Sequence, residues 1–438
     1  MITAAIGKIF LDAYNEKYGT TYDAKTFFVE VYYPLFFNDN KYLMTAGNTP
    51  LENPKISWGD MISGKKTFET CEQRRQRLDK LMSKIEIGYP TTDNSVGFAS
   101  IDVNSTTSGQ TSNIRYPFGE DDIYYSWFGA GLGVGVQGKP SMSILFTNPE
   151  ILLDIFEGWK LYRKVLDETD KLAGNKVNTW NGQWLAHRYD KGNYYAERPM
   201  AGFNPFETTK EGMSIAAQSW TKVLIGIARH FVIPKMMGYV YRFDKTNTTI
   251  GFIPFNLEHI RRPLELYKRL FGEDEGRKAE ELWGTGMGFK ACCQKGAIGI
   301  EAMRPKDLEQ YMIANKGKDI ILSKYDEKQI INYHTYQIWL LAMLNNEELW
   351  AKSLEFAKVL QDFVIKDKTI STKRKNIVES VLTATSRDKF ISSLKELLPN
   401  DDVACINDIA KIVLSMPDNN LKLFLTLIGF HYAVLDKQ

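Results

Sequence analysis

The sequence predicts an α+β protein with a mixed N-terminal domain and an all-α C-terminal helical bundle. From residue 327 to the end, apolar residues recur at helical spacing and only turn signals interrupt them. Before that point, helical stretches alternate with short β-branched or aromatic runs and with glycine-rich segments. The 438 residues suit two or three domains. We therefore expect domains at 1–326 and 327–438, with a candidate internal break near 148.

Composition narrows the class of protein. Hydrophobic residues make up 44% and charged residues 25%, as in an average globular protein. No apolar run reaches about 18 residues, and the first residues lack the pattern of a signal peptide. The four cysteines show no CxxC spacing, so we expect a cytoplasmic protein without a disulfide framework. A net charge of +2 argues against a strongly basic nucleic-acid binder, so any basic surface is local.

The first elements follow from spacing. A helix is predicted from the apolar repeat that starts at Ile6, and Gly19 ends it. Residues 27–37 are aromatic and β-branched enough to predict a strand, with Pro34 at its edge. Residues 67–84 predict a charged helix with a thin apolar stripe at Leu78, Leu81 and Ile85.

Residues 88–119 are the least helical part of the chain. Residues 104–113 are ten small polar residues in a row, which predicts an exposed loop. Asn104, Gln110 and Asn113 carry amides that can both donate to and accept from base edges in a DNA groove. The alternative is a plain surface loop.

A glycine run lies at residues 129–138. Gly133 to Lys139 matches the spacing of a phosphate-binding loop up to the lysine, but Pro140 stands where that loop needs Ser or Thr. Residues 141–146 predict a strand where the motif requires a helix. We therefore expect no nucleotide hydrolysis. The alternative is a glycine-rich strand or loop that another backbone approaches closely.

The middle of the chain alternates between helix, loop and strand. An amphipathic helix is predicted from Pro149, and residues 250–255 predict a short strand. Residues 258–283 predict a charged helix that breaks near Gly272. Between them, residues 174–182 predict a polar loop around a tryptophan, and its candidate nucleic-acid contacts are Asn178, Trp180 and Asn181.

No motif predicts catalysis. The five histidines form no metal-binding spacing, and the chain has no GxSxG nucleophile motif. We therefore predict a protein that is not an enzyme and binds neither metal nor cofactor.

Basic residues form local clusters that could contact a phosphate backbone, although each could also be an ordinary solvated turn. One cluster is Arg74, Arg75 and Arg77. The candidate nucleic-acid contacts in the other two clusters are Arg261, Arg262, Lys268, Arg269, Lys373, Arg374 and Lys375.

The order of these segments resembles the large subunit of type I CRISPR surveillance complexes (Cascade), in the branch related to type I-B. The resemblance spans the chain in outline. It rests on domain order and on three segments: ILLDIFEGWKLYR at 151–163, GNKVNTWNG at 174–182 and TKRKNIVESVLTATS at 372–386. Some members of that branch carry paired CxxC zinc motifs, which this sequence lacks.

The resemblance implies a non-catalytic subunit. The N-terminal domain would lie by the 5′ end of a guide RNA and read a protospacer-adjacent motif in duplex target DNA, while the C-terminal bundle would line the path of the unwound strands. Its partners would be backbone and guide-end-capping subunits, and a recruited helicase-nuclease would cut. Two alternatives remain: a nucleotide-binding enzyme with a phosphate loop, and a structural protein of another assembly.

Overall fold

The computed structural model confirms an α+β fold with an all-helical C-terminal region. By backbone contacts the chain forms two compact units, an N-terminal unit (residues 1–255 and 289–297) and a C-terminal unit (residues 256–288 and 298–438). The structure describes residues 1–45, 51–52, 57–86, 90–91, 94–97, 119–138, 141–210, 212–242, 248–312, 326–366, 371–398 and 402–435, without the side chains of 273–275.

The N-terminal unit begins with a predicted helix. Helix α1 (Ile2–Tyr18) ends at Gly19, whose φ of 64° lies in the left-handed region that glycine adopts without strain. Gly129 lies on helix α6 (Glu120–Gly131), where a β-carbon would overlap the backbone carbonyl of Thr3. A glycine at this position therefore lets α1 and α6 pack backbone to backbone.

The strand predicted over residues 27–37 is wrong. This stretch is helical: α2 (Ala24–Phe27), a π-helical turn (Phe28–Tyr32) and α3 (Tyr33–Phe36) follow one another. Phe28, Tyr32 and Phe36 are four residues apart and all buried, so their spacing places three rings on one helical face. Pro34 falls at the start of α3, directly after the π-helical turn.

The charged helix predicted over residues 67–84 is confirmed, with its start at Cys71. After the short helix α4 (Trp58–Ile62), helix α5 (Cys71–Ile85) begins with a capping box between Thr70 and Gln73. Its predicted apolar stripe is buried.

A small four-stranded sheet also belongs to the N-terminal unit. Its strands are β1 (Val134–Val136), β2 (Met142–Phe146), β5 (Lys235–Arg242) and β6 (Thr248–Asn256), in the order β1-β2-β5-β6. β2 runs antiparallel to both neighbours, with Ile144 opposite Val134 and Val240. The strands predicted near 141–146 and 250–255 are both confirmed. Strands β3 (Phe206–Thr208) and β4 (Met213–Ile215) form a separate hairpin.

Helices complete the N-terminal unit. The predicted helix α7 (Pro149–Glu168) is capped by Asn148, and α9 (Trp220–His230) and α12 (Phe289–Gln294) also belong to this unit. The polar loop predicted over residues 174–182 is wrong in its second half, which begins helix α8 (Val177–Arg188).

The C-terminal unit starts earlier than the predicted boundary at 326/327. It includes α10 (Leu257–Phe271) and α11 (Glu273–Glu280), with the predicted break at Gly272. These helices pack on α13 (Glu327–Leu344), where the ring of Phe271 stacks on His334 at 3.7 Å. The remaining helices are α14 (Glu348–Ile365), α15 (Ser371–Leu382), α16 (Arg387–Leu394), α17 (Val403–Ser415) and α18 (Asp418–Leu435), with 3-10 turns at Ile300–Met303, Lys306–Tyr311 and Lys395–Leu397.

One buried histidine makes the stability of this unit depend on pH. His431 on α18 is 5% exposed, packs against the ring of Trp350, and has a pKa lowered to about 4 by burial. In the unfolded chain its pKa is about 6.5, so the unfolded state alone gains the proton as pH falls from about 6.5 towards 4. The stability that the neutral form of His431 contributes is therefore fully present above that pH window and is lost as the pH falls through it.

We expect the free energy of unfolding of this unit to fall by about 2 kcal/mol between pH 7 and pH 5 because of His431 alone. Hydrogen exchange of α18 amides at the two pH values measures this loss. A His431→Leu variant lacks the titrating group. Its free energy of unfolding should therefore fall by about 2 kcal/mol less than that of the wild type over the same pH change. An identical loss in both chains would show that His431 does not cause the pH dependence.

Candidate nucleic-acid interface and polar cavity

The predicted contacts divide between the two units and fall into different environments. Asn104, Gln110 and Asn113 lie outside the described residues. The other N-terminal candidates lie on the first turns of α8, and the basic candidates lie on α10 and α15 of the C-terminal unit.

Trp180 and Asn181 do not form the exposed surface that the sequence predicted. Both are fully buried. The indole of Trp180 stacks on Tyr162 at 4.6 Å and donates to the carbonyl of Gly158. These two residues therefore hold the core of the N-terminal unit, because a helix at this position turns them inward.

Asn181 connects three elements. Its Nδ2 donates to the carbonyls of Gly131 and Gly133, and its Oδ1 accepts from Trp159 Nε1 at 3.1 Å. The amide thus forms hydrogen bonds with the end of α6, with the residue before β1 and with the middle of α7. These hydrogen bonds stabilise the fold.

The cluster at residues 74–77 is also structural. Arg74 is fully buried, donates to the carbonyls of Phe37 and Leu51, and pairs with Glu69 at 3.0 Å. Arg77 shares the same carboxylate. One carboxylate thus pairs with two arginines and balances one of their two charges, so this cluster presents less positive surface than its sequence suggests.

The four basic residues of α10 are partly engaged within the C-terminal unit. Arg262 donates to Asn345, and Arg269 pairs with Glu347, both in the connection before α14. Arg261 is half-buried, whereas Lys268 and Arg269 are exposed, and Arg261 and Lys268 also have partners. This cluster thus keeps some exposed charge, part of which is balanced locally.

Lys373, Arg374 and Lys375 lie in the first turns of α15. Arg374 is half-buried, donates to the carbonyl of Phe363 at 2.8 Å and lies over that ring, so it caps the end of α14. Lys373 and Lys375 are exposed and form no ion pair within the part of the chain that the structure describes. The cluster therefore presents two lysines outward and one arginine inward.

The basic clusters of α10 and α15 contact opposite ends of α14. Arg262 and Arg269 contact the residues before α14, and Arg374 contacts Phe363 near its end. An α-helix rises 1.5 Å per residue, so the 18 residues of α14 span about 27 Å. That distance equals about eight nucleotide steps of one DNA strand at 3.4 Å each.

A polar cavity of about 290 Å³ lies in the N-terminal unit, beside the first turn of α8. Asn178 lies on its wall, and its Nδ2 donates to Ser143 and Tyr241, each at 3.3 Å. Burial raises the pKa of Tyr241, so its hydroxyl stays protonated. The lining is Thr45, Gly135, Val136, Ser141, Met142, Ser143, Asn175, Lys176, Val177, Asn178, Thr179, Ala217, Tyr241 and Arg242.

The glycine run helps to form this cavity, but it does so as a strand. Gly135 lies in β1, and a β-carbon there would be 2.8 Å from the backbone oxygen of Asn178. This is the close backbone approach that the sequence offered as the alternative to a phosphate loop. Lys139 and Pro140 lie outside the described residues.

The described residues include no group of three or more histidine, cysteine, aspartate or glutamate side chains placed to hold a metal ion. Within the same residues, no helix combines the length and apolar content needed to cross a membrane. Comparisons with protein-family models, curated proteins and solved structures find no match for this chain.

Sequence reasoning missed the cavity. Lys176 and Arg242 are 66 positions apart, and only the packing of α8 on the sheet brings them to one cavity wall. The burial of Trp180, in contrast, had a signal, because Trp180 and Trp184 are four residues apart and typical of one helical face.

Proposed function

We propose that this chain is a non-catalytic subunit of an RNA-guided DNA surveillance complex, in which its C-terminal unit binds nucleic-acid backbone. The observation that carries the proposal is the pair of exposed lysines in the first turns of α15. The segment order of the sequence supports the same function. As in that class of complex, the chain would act in the cytoplasm with guide RNA, target DNA, backbone and capping subunits, and a recruited helicase-nuclease.

The fold itself gains little from these lysines. The N-terminal end of a helix carries partial positive charge, so a cation in the first turn, here Lys373, is unfavourable by about 0.3–1 kcal/mol. The first turn of α15 contains no acidic residue, and neither Lys373 nor Lys375 has an ion-pair partner among the described residues. A phosphate backbone would relieve this repulsion by supplying the missing negative charge.

Recognition of a protospacer-adjacent motif is assigned to residues 104–113 on sequence alone. Asn104, Gln110 and Asn113 supply amides that can read groove edges, and weak readout suffices when guide pairing supplies most of the specificity. The phosphate-loop alternative has less support, because Val134–Val136 is a strand paired with β2.

We expect that changing Lys373 and Lys375 to Ala weakens DNA binding about equally for every sequence. Each lost phosphate contact should reduce the slope of log K against log salt by about 0.9 on duplex DNA or about 0.7 on a single strand. Arg374 is kept, because its removal would expose the end of α14. Titrations at several salt concentrations measure the slope.

The matched control changes two other exposed lysines of the C-terminal unit, Lys358 and Lys411, to Ala. These should leave the slope unchanged. Equal slopes for the wild type and the Lys373/Lys375 variant would refute backbone binding at α15.

Co-purification from the native host tests the whole assignment. A tagged chain should bring down repeat-derived guide RNA and several copies of a backbone subunit. A chain that purifies without RNA, under conditions that preserve other ribonucleoproteins, would contradict the surveillance role and favour the alternative of a structural protein.

A further inference from the structure

We propose that the polar cavity beside α8 binds a phosphate monoester, carried either by a free nucleotide or by the terminal nucleotide of a strand. This proposal does not depend on the RNA-guided function, since the cavity belongs to the N-terminal unit and the α15 lysines belong to the C-terminal unit. It also differs from a phosphate loop, because the cations come from Lys176 and Arg242.

The charge of the lining favours an anion. Lys176 and Arg242 are both half-buried on the cavity wall, Arg242 also has a partner within the chain, and no lining residue that the structure describes is acidic. The buried carboxylate of Glu52 lies behind Thr45, accepts its hydroxyl at 2.8 Å, and is not part of the lining. Cations in a concave site act in a lower dielectric than at an open surface, so they attract an anion more strongly.

The neutral groups of the lining suit phosphate oxygens. Hydroxyl groups can donate to such oxygens without adding charge. Besides Thr45, whose hydroxyl donates to Glu52, the cavity wall carries hydroxyls on Ser141, Ser143, Thr179 and Tyr241. Phosphate sites in proteins combine such donors with Lys or Arg, as this lining does.

The amide of Asn178 holds two hydroxyls of the cavity wall in place. Asn178 Oδ1 is buried and has no hydrogen-bond partner, while its Nδ2 is held by Ser143 and Tyr241. A buried acceptor without a donor is uncommon in folded proteins. Since Oδ1 has almost no accessible surface, a ligand in the cavity would not contact it, and Asn178 contributes to the site by fixing Ser143 and Tyr241.

The size of the cavity limits the ligand. Its volume of about 290 Å³ is at the small end of the range for ligand pockets. That space suits one nucleotide and excludes a longer segment of strand. A nucleic acid would therefore enter by its terminal nucleotide only.

The test uses the full chain and calorimetric titration with adenosine 5′-monophosphate, adenosine and inorganic phosphate. We expect saturable binding of the monophosphate at or below millimolar concentration, and at least about tenfold weaker binding of adenosine, since charge-assisted hydrogen bonds are lost. Two short single-stranded RNAs, one with a 5′-phosphate and one with a 5′-hydroxyl, test whether the cavity binds the terminal nucleotide of a strand. Preference for the phosphorylated strand over the free nucleotide would assign the cavity to a strand end, and the reverse to a free nucleotide.

Two variants and one control locate the binding. Lys176→Ala should lower the affinity for the monophosphate about tenfold, and Asn178→Asp, which adds negative charge at nearly constant shape, should abolish it. Lys191→Ala, at an exposed position outside the lining, should change nothing. Melting temperatures identify a variant that fails to fold, in which case Lys176→Ala decides alone. Absence of phosphate-dependent binding in the wild type, or equal affinity in wild type and Lys176→Ala, would overturn the proposal.

Discussion

Replacing Arg74 by alanine is expected to lower the free energy of unfolding of the N-terminal unit by about 3–5 kcal/mol. The guanidinium is fully buried and lies 3.7 Å from the ring centre of Tyr42. Its removal leaves the carbonyls of Phe37 and Leu51 without their donor and leaves Glu69 with one arginine in place of two. Urea denaturation followed by tryptophan fluorescence measures the loss.

The neighbouring arginine provides the control. Arg75 is exposed on the same helix, so Arg75→Ala should change the free energy of unfolding by about 0.5 kcal/mol or less. Arg74→Lys should remain clearly destabilised, because an ammonium group cannot reproduce the planar fork of a guanidinium. Equal stabilities for the Arg74 and Arg75 alanine variants would contradict a structural role for Arg74.

Asn181→Leu should cost about 3–5 kcal/mol, since it keeps the size of the side chain but removes all three of its hydrogen bonds. The carbonyls of Gly131 and Gly133 and the indole N–H of Trp159 would then be buried without partners, at about 1–3 kcal/mol each before relaxation. Urea denaturation of the N-terminal unit again measures the effect. Asn193→Leu, at an exposed position, serves as the matched control and should cost much less.

This experiment also separates the two roles considered for Asn181. A residue that contacts nucleic acid at the surface could lose its amide with little effect on stability. A loss below about 1 kcal/mol would therefore restore Asn181 as a surface candidate, whereas the expected loss assigns it to the core.

The sequence predicted the fold class and most helices because apolar spacing decides which side of a helix is buried. It failed at residues 27–37, where a strand and a helix both accept aromatic residues. Local spacing alone could not decide between them, and packing of Phe28, Tyr32 and Phe36 on one face selects the helix.

The candidate site was harder to predict, for a physical reason. The identity of a polar side chain does not say whether its partner is solvent, ligand or backbone. Asn178 and Asn181 are three positions apart, yet the first lines a cavity and the second is fully buried. Likewise Arg374 binds the backbone of Phe363 while its neighbours Lys373 and Lys375 face solvent, a difference that only the position of α14 determines.

The interleaving of the two units restricts how the gene can be divided. The chain passes between them at residues 255/256, 288/289 and 297/298, so no single cut yields two whole units. A fragment that begins at 327 would lack α10, and the apolar surface of α13 that α10 covers would face water. Such truncations should aggregate. If a terminal deletion altered the activity, the change would therefore reflect damaged folding and would not show the role of the deleted part.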